Sequence, residues 1–180
     1  MSKTLTFSRT YPSYHPRKGD PTYFVEAILT QLGIDYTSDS YYEWLREENI
    51  EIDSTFLAFF WHSLKPDVDP KSHTIRAHKR PLKIGDWFNP KCWAGKPYNK
   101  TKEGYWQIKF APDIEVKKVW DFEVYFEKTL QQKQVLKVKS GKSNIPEIAT
   151  NDGLELIDFL HWFNKPFDGQ IICWNEKIKY

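Results

Sequence analysis

The sequence predicts an α+β fold in which helices come first and a run of short strands follows, the pattern of a small β-barrel or strongly curved sheet with flanking helices. Three observations carry this reading. Apolar residues recur at helical spacing between residues 24 and 64, short extended runs separated by turn-rich segments fill 73–138, and two helical segments and one extended run complete the chain. At 180 residues the chain has the size of one domain, so a single domain over 1–180 with one real hydrophobic core is expected.

Each element has a local reason. Residues 4–8 alternate as a first strand does, and residues 11–21 form a loop that its prolines keep out of helix. Asp20 before Pro21 reads as an N-cap ahead of a first-turn proline. The helix that follows places Phe24, Ile28 and either Val25 or Leu32 on one side and stops at Gly33. Further helices are expected over 41–48 and 54–64, the second carrying Leu57, Phe60, Trp61 and Leu64 at i, i+3, i+4, i+7. Pro66 to Pro70 breaks it. Strands are expected over 73–76, 86–89, 105–110, 115–125 and 134–138, then helices over 145–150 and 156–163, then a closing strand over 169–174. No internal repeat or low-complexity segment is present.

Composition narrows the class. Trp, Tyr and Phe number 8, 10 and 12, which means either an aromatic core or rings facing a ligand. Cys92 and Cys173 stand far apart with no paired spacing, against a disulfide framework or a cysteine-based zinc site. A reducing, cytoplasmic setting is expected. The densest apolar run, residues 56–61, falls well short of the roughly 20 residues of a membrane helix, and neither an export signal nor a membrane span is expected. Charge is uneven: residues 20–69 hold 11 acidic and 2 basic side chains, whereas 71–109 hold 10 basic and 2 acidic. The basic part suits an anionic partner.

Three groups of residues can carry chemistry. In Lys71-x-x-Thr74-x-Arg76, followed by Gly85-Asp86, strand alternation puts Thr74 and Arg76 on one face while Lys71 approaches from the preceding turn. A lysine desolvated beside an arginine loses proton affinity, and a neutral lysine can deprotonate a threonine hydroxyl. The plain alternative is a solvated Lys71, a strand-forming Thr74 and a surface Arg76. Asn151-Asp152-Gly153 reads either as a turn that ends one helix, with Asp152 capping the next, or as a carboxylate for acid–base work. In the stretch from Lys91 to Lys100, Lys91, Lys96 and Lys100 alternate with Trp93 and Tyr98 in a loop. Stacking rings and phosphate-neutralising lysines are what a nucleic-acid groove needs, though such a loop is also simply soluble. His73 and His78 are poorly spaced for a metal, and no metal or cofactor is expected.

Taken in order, Leu5-Thr6-Phe7-Ser8, the helix over 24–32, Lys71-x-x-Thr74-Ile75-Arg76, Gly85-Asp86, and Ile148 to Leu154 leading into Phe159 and Trp162-Phe163 resemble the ASCH family. The resemblance implies a PUA-like β-barrel whose cleft binds RNA, nucleosides or related bases. Residues about 34–69 then form a helical acidic insertion, suited to covering the basic cleft, mimicking a nucleic acid or recruiting a protein partner. The chain is similar to small bacterial amidohydrolases that remove the acetyl group from N4-acetylcytidine with a lysine, a threonine and a carboxylate. By motif these fall on Lys71, Thr74 and Asp152: Lys71 takes the proton of Thr74, Thr74 attacks the acetyl carbonyl, and Asp152 protonates the departing amine. Arg76 would hold the oxyanion or the base, with His73 beside it among the binding residues. The alternative is a non-catalytic RNA- or DNA-binding module using the basic face of Lys91, Trp93, Lys96, Tyr98 and Lys100. The chain departs from the family in carrying aspartate for glutamate at 152 and Asp69-Pro70 where a glycine precedes the lysine.

Overall fold

The computed structural model describes residues 3–79, 81–97, 99–100, 104, 107–126, 144–180 and the backbone of 134–138. Among them the fold is α+β, with elements in the order β1 (Lys3–Phe7), α1 (Phe24–Gln31), α2 (Asp39–Glu48), α3 (Ser54–His62), β2 (His73–Ala77), β3 (Trp87–Trp93), β4 (Gln107–Lys109), β5 (Ile114–Glu115), β6 (Lys118–Phe126), β7 (Gln134–Val138), α4 (Ile145–Asn151), α5 (Leu156–Trp162) and β8 (Phe167–Cys173). The strands form two four-stranded sheets, and pairing among the described residues closes neither into a barrel. Contacts divide the chain into two compact units. One holds Met1–Pro12, Lys18–Pro70 and Trp87–Ile114; the other holds Ser13–Arg17, Lys71–Asp86 and Glu115–Tyr180.

The first unit is built on the path β1-β3-β4, with β5 also pairing with β3. β1 runs parallel to β3, Phe7 opposite Cys92, and β4 is antiparallel to β3. Its core is aromatic: the ring of Phe7 meets Phe110 edge-on at 5.9 Å and Phe88 at 6.4 Å. Val25, Ile28 and Leu29 of α1, Leu45 of α2, and Leu57 and Phe60 of α3 complete it. Each such side chain contributes roughly 1.5–3 kcal/mol by leaving water. Trp61 and Leu64, expected in the same stripe, are only half-buried. Residues 34–69 are bound into this unit. Asn49, at the end of α2, donates to Lys109 O and accepts from Lys109 N, both at 2.9 Å, adding a rung to the edge of β4.

Two sequence expectations fail here for backbone reasons. Pro21 does not open α1. Thr10 and Pro21 form an isolated bridge, Thr22 N donates to Arg9 O, and the helix starts only at Phe24 behind Tyr23 in a left-handed conformation. The far end of α1 is as expected: Gly33 has φ +68, and Gly33 N and Ile34 N donate to Thr30 O and Leu29 O. β3 does not stop before Pro90 but runs through it. Proline lacks only the donor, and Pro90 O still accepts from Phe110 N at 3.3 Å. Lys91 and Trp93 therefore lie on a strand, not in a loop.

The second unit is built on β2-β8-β6-β7, antiparallel throughout. β8 lies between β2 and β6, which explains why Gly169 to Cys173 are buried without alternation. Phe122, Phe159, Phe163 and Phe167 form its aromatic core at centroid distances of 4.9–6.2 Å. Residues 13–17 join this unit through Asp158 of α5, whose carboxylate takes Arg17 at 2.6 Å and whose carbonyl lies 3.1 Å from His15 Nε2.

Candidate functional site

The second unit brings together two residues 81 positions apart in sequence, Lys71 and Asp152. α4 ends in a turn where Gly153 N bonds to Thr150 O and Leu154 N to Ala149 O, with Gly153 at φ +74. Asp152 is the C-cap of that helix. Ser72 N donates to Asn151 O at 2.8 Å, which draws the start of β2 onto the helix end. The stem of Lys71 then lies against Gly153, where a side chain would come within 3.4 Å of it. Its Nζ reaches both the backbone oxygen of Asp152 and, at 2.5 Å, the carboxylate Oδ1. A carbonyl left open at a helix end and a carboxylate thus share one ammonium, favourably placed for the helix dipole. Asp152 does not cap α5, whose N-cap is Glu155.

Both members are buried, Lys71 at 1% and Asp152 at 5% exposure. Burial pulls Lys71 from 10.5 down to about 8, opposed by the Asp152 charge and assisted by Arg76. Burial raises Asp152 above the usual carboxylate range, opposed by Lys71 and then Arg76. Desolvation therefore moves the two proton affinities toward each other and makes proton exchange between them less costly.

His73, fully buried at the start of β2, stands 3.8 Å from Asp152 Oδ1 through Nε2. Burial first, and the Lys71 charge second, hold it well below the usual imidazole range. Its Nδ1 lies 2.9 Å from the Tyr180 hydroxyl, which also takes a hydrogen bond from Asn151 Nδ2 at 2.9 Å. Burial raises the Tyr180 phenol, keeping it protonated. Nothing local in the sequence marks Tyr180, because its role arises only when β8 brings the following segment beside β2. Thr74 and Arg76 share a face of β2, Thr74 buried and Arg76 half-buried. The Thr74 hydroxyl makes no hydrogen bond to Lys71 or Asp152 among the described residues.

The basic group expected to read a nucleic acid falls in the first unit. Lys91 and Trp93 are half-buried on β3, Lys96 and Lys100 are exposed, and Tyr98 lies outside the described residues. Trp93 lines a cavity of about 300 Å³ with Arg9, Thr10 and Pro21. A larger cavity in the same unit, about 540 Å³, is lined by Glu43, Glu47, Ile50 and Leu57. Among the described residues no group of three or more His, Cys, Asp and Glu is placed to hold a metal, and no helix is long and apolar enough to cross a membrane. No protein-family model, curated protein or solved structure matches the chain.

Proposed function

We propose that the chain is an ASCH-type domain of PUA-like kind that acts as an amidohydrolase on an N-acylated nucleobase such as N4-acetylcytidine. The observation that supports this most is the buried Lys71–Asp152 pair, with its two proton affinities drawn together. In the proposed reaction substrate binding brings the Thr74 hydroxyl to neutral Lys71, which accepts its proton as Oγ1 bonds to the acyl carbon. The C–N bond then breaks, the amine leaves with a proton supplied through Asp152, and an acyl ester remains on Thr74. Water adds to that ester, carboxylate leaves, and the hydroxyl is restored. Arg76, on the same strand face as Thr74, stabilises the developing oxyanion. The acyl-enzyme supplies the test. Mass spectrometry of protein quenched during incubation with N4-acetylcytidine should find an acetyl group on Thr74, absent in Thr74→Ala. Cytidine release by Thr74→Ala at the wild-type rate would rule out this route.

A second reading has its own support. The cavity beside Trp93 and Arg9 offers a ring and a cation to a base or phosphate, as a non-catalytic RNA- or DNA-binding module would. In that case Lys71 and Asp152 only tie β2 to α4. Single-stranded RNA binding that weakens steeply with salt and with Trp93→Ala, without cytidine release, would favour it.

A further inference from the structure

We propose that Tyr180 and His73 are positioning residues for the Asp152 carboxylate, together holding the imidazole in the tautomer that carries its proton on Nε2 and presents it to Asp152. This goes beyond the acyl-transfer reading and draws on it only for what the carboxylate does.

The hydrogen bonds run in one direction. Asn151 Nδ2 can only donate, so the Tyr180 oxygen accepts there and its own hydrogen is available to His73 Nδ1, 2.9 Å away. A ring nitrogen that accepts is unprotonated, and in a neutral imidazole the proton then sits on the other nitrogen. That nitrogen, Nε2, is fully buried, has no hydrogen-bond partner among the described residues, and lies 3.8 Å from Asp152 Oδ1. Buried polar atoms are seldom left in this way. A small movement of the carboxylate would join the two. The tyrosine ring is held for the task, edge-on to Trp120 at 4.9 Å and to the His73 ring at 5.5 Å. With the opposite tautomer a lone pair would face the carboxylate and repel it.

Once Asp152 has given its proton to a departing amine, Nε2–H offers the carboxylate a second donor beside Lys71 Nζ. The charged and titratable groups acting on this cluster are Lys71, Arg76 of β2, Tyr180 and, through Tyr180, Glu147 of α4 and Cys173 of β8.

Nitrogen NMR of protein labelled in histidine reads the tautomer without any substrate, so failure of the amidohydrolase reading would leave the result intact. Near neutral pH, wild type should show His73 protonated at Nε2 and bare at Nδ1. Tyr180→Phe should lose that preference and, by carboxyl-carbon NMR, make Asp152 about tenfold harder to ionise. If Tyr180→Phe does not fold, His73→Leu should raise the Asp152 midpoint similarly. A wild-type His73 protonated at Nδ1, or an Asp152 midpoint unmoved in the variant, overturns the proposal.

Discussion

Replacing Lys71 by methionine keeps an unbranched stem against Gly153 and deletes the ammonium, so it isolates the buried charge. Breaking a buried ion pair from one side costs about 3–5 kcal/mol, because the remaining ion stays buried without compensation. Here two acceptors lose the same donor, the Asp152 carboxylate and carbonyl, while the Arg76 charge continues to favour the anion. That residual help puts the expected loss near the low end, about 3 kcal/mol, a large share of the roughly 5–15 kcal/mol that holds a domain. Lys71→Met/Asp152→Leu removes both charges and should return to within about 1 kcal/mol of wild type, since apolar replacement of a buried pair is close to neutral. The assay is urea unfolding followed by tryptophan fluorescence, with the slope checked for a common mechanism. A single variant within about 0.5 kcal/mol of wild type, with an additive cycle, would refute the view that this ammonium compensates the buried carboxylate.

The same pair makes stability depend on pH with a definite sign. Lys71 sits at about 8 in the folded chain against 10.5 ordinarily, so above 8 the unfolded chain holds a proton that the folded one has released. Stability should therefore rise with pH above about 8, relative to Lys71→Met as control. No difference in slope between the two proteins would contradict this. Gly153→Ala forces φ +74 on a residue with a side chain and presses a methyl toward the Lys71 stem at 3.4 Å, so a loss of about 1–2 kcal/mol in thermal unfolding is expected. Gly169→Ala in β8 should cost more, about 3 kcal/mol, because its Cβ would collide with the Arg76 carbonyl oxygen, which is backbone and has no room to yield. Equal stability in either alanine variant would count against the packing described.

Much of the fold was legible because local signals were redundant. α3 follows its apolar spacing, β7 matches its extended run, and α1 ends at its glycine. Where local signals are answered by pairing elsewhere, the structure departs from them. Pro21 looks like a helix opener until Thr10 pairs with it, and Pro90 looks like a strand stop until its carbonyl takes a bond from Phe110. The site was legible in part. Asn151-Asp152-Gly153 invited two readings, a helix-ending turn and a functional carboxylate, and the turn is what carries the carboxylate to Lys71. Burial of Lys71 was one of two readings left open, desolvated beside Arg76 or solvated after Asp69-Pro70, and only the docking of α4 onto β2 decides between them. Part of the aromatic excess packs as two phenylalanine clusters, one in each compact unit.

If Lys71 and Asp152 act on an N-acylated base as proposed, turnover should depend on the Lys71 amine. Wild type and Lys71→Met, both checked for folding, are incubated with N4-acetylcytidine at pH 8 and free cytidine is followed by chromatography. Wild type should release cytidine and the variant should lose that release at least a hundredfold, on the scale that removal of a general base brings. Absence of release by either protein, or equal release by both, would contradict it.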